Sequence, residues 1–149
     1  MNWTLVYALL AAGAGCCIAL QATANTRFRH NLESPYYAAF FSICGTILFA
    51  IVFMLIMRPT TPSVAAIKGT QWWNWVGGPL GALIVLAGAT LTRELGAAAF
   101  IALVVAGQVI CSMVLDHFAL MGLPESPITW QRVLGGTLVV LGVVCIKYL

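Results

Sequence analysis

The chain has 149 residues, of which 62% are hydrophobic and 7% charged, with a mean hydropathy of +1.00. A soluble domain carries about 25% charged residues to cover its wet surface, so this composition excludes a water-soluble fold and predicts an integral membrane protein. The net charge of +3 is small and scattered along the chain, which argues against a nucleic-acid partner.

A span of hydrocarbon about 30 Å thick needs roughly 20 mainly apolar residues. Trp3 to Ala24 is the first such run, with Ala12, Gly13, Ala14, Gly15 and Cys16 offering a smooth face to another helix. Ala22-Thr23-Ala24 resembles a signal-peptide cleavage site, but Met1-Asn2-Trp3 lacks a basic residue, so a retained span is expected. Gln21 and Asn25 lie four apart at its end. Two readings stay open for them: a polar face at the mouth of a cavity, or a helix end wetting its own carbonyls.

Thr26 to Ser34 reads as a short loop holding Arg27, Arg29 and a solvated His30. Ser34 is a plausible N-cap and Pro35 suits the first turn of the second span, Pro35 to Met57. That span is nearly featureless and is assigned to packing. Arg58 to Gln71 is the longest polar connection, broken by Pro59, Pro62 and Gly69.

The tryptophans Trp72, Trp73 and Trp75 open the third span, 72–92. Trp72 and Trp73 fit an interfacial belt; Trp75, deeper, also fits a cation–π surface for an organic cation. Gly77 and Gly81 have the small-xxx-small spacing that lets helices approach closely, and Pro79 predicts a kink or a late helix start. Thr90 and Glu94 share a face. Thr92 to Gly96 reads as a tight polar turn.

The fourth span, 97–121, carries Gln108, Ser112 and Asp116 at i, i+4 and i+8, hence on one helix face. Lipid does not tolerate such a face, so it must meet protein or water. His117 follows Asp116, about 100° round the helix. After the turn Gly122 to Pro127, Thr129 is a plausible N-cap for the fifth span, 130–148, which has Gly135, Gly136 and Gly142 on a packing face.

Five spans make an all-α transmembrane domain with its two ends on opposite sides of the membrane. With the N-terminus outside, Arg27, Arg29, Arg93 and Lys147 lie inside and Arg58, Lys68 and Arg132 outside, a difference of one charge. Cytoplasmic loops normally hold a clear excess of Lys and Arg. So weak a bias predicts insertion both ways up and an antiparallel homodimer, with the inverted symmetry and midplane site that many transporters use.

Several passages carry a family resemblance. They are Leu20 to Asn25, Trp72 to Gly78, Leu91 to Ala97, Leu103 to Gln108 continuing to Leu115-Asp116-His117-Phe118, and Thr129 to Gly135 followed by Leu141-Gly142-Val143. On these the chain resembles the YdcZ-type small exporters of the drug/metabolite transporter superfamily. The resemblance covers essentially the whole chain. It implies a five-helix half-transporter of the bacterial inner membrane, because larger relatives look like two such halves fused with inverted topology.

No nucleophile–base pair, H-E-x-x-H metal motif or phosphate-binding glycine loop is present, so no enzyme activity, metal or cofactor is expected. The five cysteines Cys16, Cys17, Cys44, Cys111 and Cys145 lie in apolar runs and are expected as small buried hydrophobes. The expected function is secondary transport: export of small metabolites or organic cations by alternating access. Gln21, Asn25, Trp75, Thr90, Gln108 and Ser112 are the candidate pathway residues. Glu94, Asp116 and His117 are candidates for coupling, where proton and substrate would compete for one carboxylate. The alternative is a non-transporting helical subunit that scaffolds or regulates a partner protein.

Overall fold

A computed structural model describes residues 2–148. The described residues form six α-helices, five of them long and apolar enough to cross a membrane. They are α1 (Trp3–Leu32), α2 (Pro35–Met57), the short α3 (Val64–Lys68), α4 (Gly77–Leu95), α5 (Ala97–His117) and α6 (Trp130–Tyr148), with 3-10 turns at Trp72–Trp75 and Leu120–Gly122. The chain divides into two compact units, Met1–Thr90 and Leu91–Leu149.

In the first unit, α1 runs eight residues beyond the expected end of its span, through the stretch read as a loop. Nothing between Ala24 and Leu32 breaks a helix, and the polar residues there need only leave the hydrocarbon, which a helix does as well as a loop. It stops where Glu33 enters the left-handed region, at φ 53°. Ser34 then caps α2, its Oγ accepting from the Tyr37 N–H at 3.5 Å, with Pro35 at the first helical position. Helix α2 ends in the same way at Arg58, φ 45°, whose N–H donates to the Met54 carbonyl, and Pro59 prevents its return. Ser63 caps α3 through the Ala66 N–H at 3.1 Å.

Pro79 produces a late helix start. The third residue of α4, it lies in the first turn, where a backbone N–H has no intrahelical acceptor anyway. Helices α1 and α2 meet through Ala22, Ala38 and Ala39, all buried, with the Phe28 and Phe41 rings 6.0 Å apart.

The second unit holds the last turn of α4 with α5 and α6. The expected five-residue turn reduces to Gly96 alone, at φ 83° and ψ 151°, a conformation open essentially only to glycine. Helix α5 ends at His117, four residues early. Nothing in Phe118 to Met121 breaks a helix; the ending is tertiary. The Asp116 carbonyl accepts from the Ser126 N–H at 2.9 Å, and Ala119 and Met121 take positive φ values of 49° and 57°. Helices α5 and α6 pack closely where Met113 lies over Gly136: a Cβ on Gly136 would come within 2.8 Å of the methionine methyl.

The cysteines are a correction. All five are exposed rather than buried. In a helix surrounded by lipid the outward face is itself apolar, so a small hydrophobe is as well placed there as in a core.

Gly96→Ala is expected to destabilise the protein by about 1–3 kcal/mol, the cost of a strained backbone conformation. Gly45→Ala, helical and with open space around it, is expected to be neutral or stabilising. Unfolding of the two variants side by side in detergent checks this; equal stability would show that Gly96 does not need its positive φ.

Candidate functional site

In the first unit, Gln21, Asn25 and Arg29 recur at i, i+4 and i+8 and so share one face of α1. Gln21 opens into a half-enclosed cleft of about 560 Å³, walled by α1, α2 and α4. Ile43, Thr46 and Ile47 come from α2, and Gly77, Gly78, Gly81, Ala82, Ile84 and Val85 from α4. The three glycines keep it open, since a Cβ on any of them would meet nothing within 4 Å. Thr46 follows Pro35 by eleven residues in α2, about 16 Å of helix at ~1.5 Å per residue. Thr46 is thus at the middle of the 23-residue α2, and the cleft lies against that part of the helix.

One turn beyond Gln21, Asn25 is 95% buried (5% exposed), and its Nδ2 has no hydrogen-bond partner. Next to it, Thr26 Oγ1 donates to the Ala22 carbonyl at 2.9 Å and the Gly88 carbonyl at 3.3 Å. Arg29 Nη1 donates to the carbonyls of Thr90 at 2.9 Å and Ala89 at 3.4 Å. The Thr90 hydroxyl turns back on its own helix, to the Leu86 and Ala87 carbonyls at 2.7 and 3.1 Å. Trp75 is exposed, and its Nε1 donates to Thr70 Oγ1 at 3.0 Å. This ties it to the loop before the 3-10 turn, the position of an interfacial tryptophan.

In the second unit, Gln108 and Ser112 are exposed. Ser112 Oγ donates to the Val109 carbonyl at 3.0 Å. Gln108 makes no side-chain hydrogen bond among the described residues. The α6-facing side of α5 is a different one, Ile110, Met113 and Val114, which line an apolar 340 Å³ cavity with Val133, Gly136 and Val140. Asp116 Oδ2 lies 3.3 Å from Arg132 Nη1, the single ion pair among the described residues. The same nitrogen also donates to the Ser126 carbonyl at 3.1 Å. His117 Nδ1 accepts from the Ile128 N–H at 3.3 Å, and its ring meets Phe118 edge-on. Glu94, in the last turn of α4, is exposed.

Sequence reasoning missed two participants. Arg29 falls in the stretch that reads as a loop, and Arg132, at the start of the fifth span, enters only the charge balance between the two sides. The signal available for Arg132 was its position in the first turn of α6, where a cation opposes the helix dipole and needs an anion nearby.

Comparison with known proteins agrees with this architecture. The model of the family described as "Putative inner membrane exporter, YdcZ" matches residues 6–145. The chain belongs to the YdcZ family. It is 29% identical over 143 residues to the "Inner membrane protein YdcZ" of Escherichia coli (strain K12), covering 95% of this chain and 94% of that one. No solved structure matches it. Five apolar helices and membership of the YdcZ family make it a multi-pass inner-membrane protein of a transporter class.

The Asp116–Arg132 pair joins α5 to α6 but is about one-third exposed on both sides, at 34% and 36%, so water screens it. A double-mutant cycle with Asp116→Asn and Arg132→Gln is expected to give a coupling of about 0.5–1 kcal/mol. A coupling near zero would reduce the pair to a surface contact.

Proposed function

We propose that the chain is a secondary transporter that works by alternating access as an antiparallel pair of identical chains, exporting a small polar metabolite or organic cation. The observation that carries this is Gln108. It follows Ala97 by eleven residues in the 21-residue α5, near mid-membrane, exposed and without a side-chain partner in its own chain. A polar group left unsatisfied in hydrocarbon costs several kcal/mol, so this face needs a second protein surface or a wet pathway.

Charge supports the antiparallel arrangement. A difference of one Lys or Arg between the two sides is worth about 1 kcal/mol at an anionic surface, a ratio of about five to one. That is too little to fix one orientation. Two oppositely inserted copies would place two clefts about a two-fold axis in the membrane plane, the symmetry on which alternating access rests. The glycine wall of each cleft offers α4 a smooth surface for the movement.

Orientation is the decisive measurement. Thr61→Cys, in the exposed loop after α2, is introduced into a protein lacking the five native cysteines and labelled with an impermeant thiol reagent from each side of sealed vesicles. Labelling from both sides is expected. Labelling from one side only would exclude the antiparallel homodimer.

Coupling to protons would use Glu94, since Asp116 is held by Arg132. Glu94→Gln is expected to remove pH-driven export while Asp116→Asn retains it, measured in proteoliposomes with an imposed proton gradient. Unchanged pH-driven export in both variants would end the carboxylate-coupling mechanism.

A further inference from the structure

The polar ladder on α1 is unbalanced in a way that identifies a ligand. Along one face, Gln21 presents an amide to the cleft, and among the described residues Asn25 Nδ2, buried, has no acceptor and the Arg29 guanidinium has no ion-pair partner. Successive members are about 6 Å apart along the helix axis. The neighbouring acceptors on α4 are already engaged: the Gly88 carbonyl takes Thr26, the Ala89 and Thr90 carbonyls take Arg29, and the Leu86 and Ala87 carbonyls take the Thr90 hydroxyl. Donors are therefore in surplus. Only one guanidinium nitrogen of Arg29 is committed, and that commitment fixes the group's orientation; a guanidinium has five N–H donors.

A buried amide N–H without an acceptor is costly, and native structures keep few of them. One that stands a helix turn from a cationic residue and a turn from Gln21, which lines a cleft of ligand size, calls for an acceptor that arrives from outside and carries negative charge. We propose that the α1 ladder recognises a small carboxylate-bearing metabolite, its carboxylate taken by Asn25 Nδ2 and Arg29, its remainder lying toward Gln21 and the apolar cleft. This rests on the transporter reading and narrows its cargo from polar metabolites and organic cations to organic acids. Planar, two-pronged donation is the geometry in which arginine binds carboxylates best.

The test uses the full-length protein in detergent and follows its thermal unfolding with succinate, benzoate or glutamate, and with choline or tetraethylammonium chloride at matched ionic strength. At least one carboxylate is expected to raise the unfolding temperature, and neither cation to do so. Arg29→Gln is expected to weaken the apparent affinity about tenfold or more, with partial recovery in Arg29→Lys. Asn25→Asp, which sets a like charge against the ligand, is expected to abolish the carboxylate shift. Gln21→Leu, altering only an exposed cleft residue, covers the event that changes at Asn25 or Arg29 prevent folding, and is expected to change which carboxylate is preferred. No shift with any carboxylate, a shift with the cations instead, or carboxylate shifts that persist unchanged in every folded variant would each overturn the proposal. None of these readouts depends on chain orientation, so the cargo assignment fails or stands separately from the antiparallel transporter.

Discussion

Hydrocarbon offers no hydrogen bonds, so every polar group at membrane depth must find its partner within protein or in a wet cavity. Most of the side-chain chemistry of this chain answers that demand locally. Thr23, Thr26, Thr46, Thr90 and Thr137 each donate their hydroxyl to a carbonyl three or four residues back. This is the cheapest way to carry a hydroxyl through lipid, because donor and acceptor already belong to one helix turn. Arg29 follows the same rule across helices, reaching carbonyls of α4. The groups left over among the described residues include the buried Asn25 Nδ2 and Thr92 Oγ1 and the exposed Gln108 side chain.

The same solvent changes what holds the helices together. Lipid tails are as apolar as leucine, so burying large side chains gains little, and close approach of small ones matters more. Among the described residues the buried positions are mainly alanines, Ala22, Ala38, Ala39, Ala89, Ala99 and Ala106, and no large side chain is fully buried. Met113 over Gly136 shows the same economy within the second unit. In α2, Leu48, Phe49, Leu55 and Ile56 point outward because outward is the apolar direction.

This contrast explains what was legible in the sequence. Local chemistry read well: Ser34-Pro35 began α2, Pro79 gave a late start to α4, and Gly96 marked the join to α5. Long apolar runs gave the five spans. Three kinds of feature did not read. The end of α5 depends on Asp116 meeting Ser126 and Arg132, partners that no local pattern announces. The extension of α1 was hidden because hydropathy tells where a helix leaves lipid and not where it stops being a helix. The cysteines were assigned to a core by habits that hold in water. Gln21 and Asn25 were visible as a four-residue spacing, but Arg29, the next step of the same ladder, was lost once the stretch was taken for a loop.

Asn25 and Gln108 differ in a way that separates their partners. Asn25 is enclosed by its own unit and leaves no room for a helix to approach its amide; whatever completes it must be small and must enter. Gln108 lies on an open surface, where a small molecule would leave most of the face still in contact with lipid; whatever completes it must be large. One demand has the size of a ligand and the other the size of a helix. A protein that only scaffolded a partner would need the second and have no use for the first. The proposed paired transporter would need both, a surface that joins the two copies and a recess that holds the cargo, and on that reading Asn25 and Gln108 answer the two needs from different helices, so that each is free to change without the other.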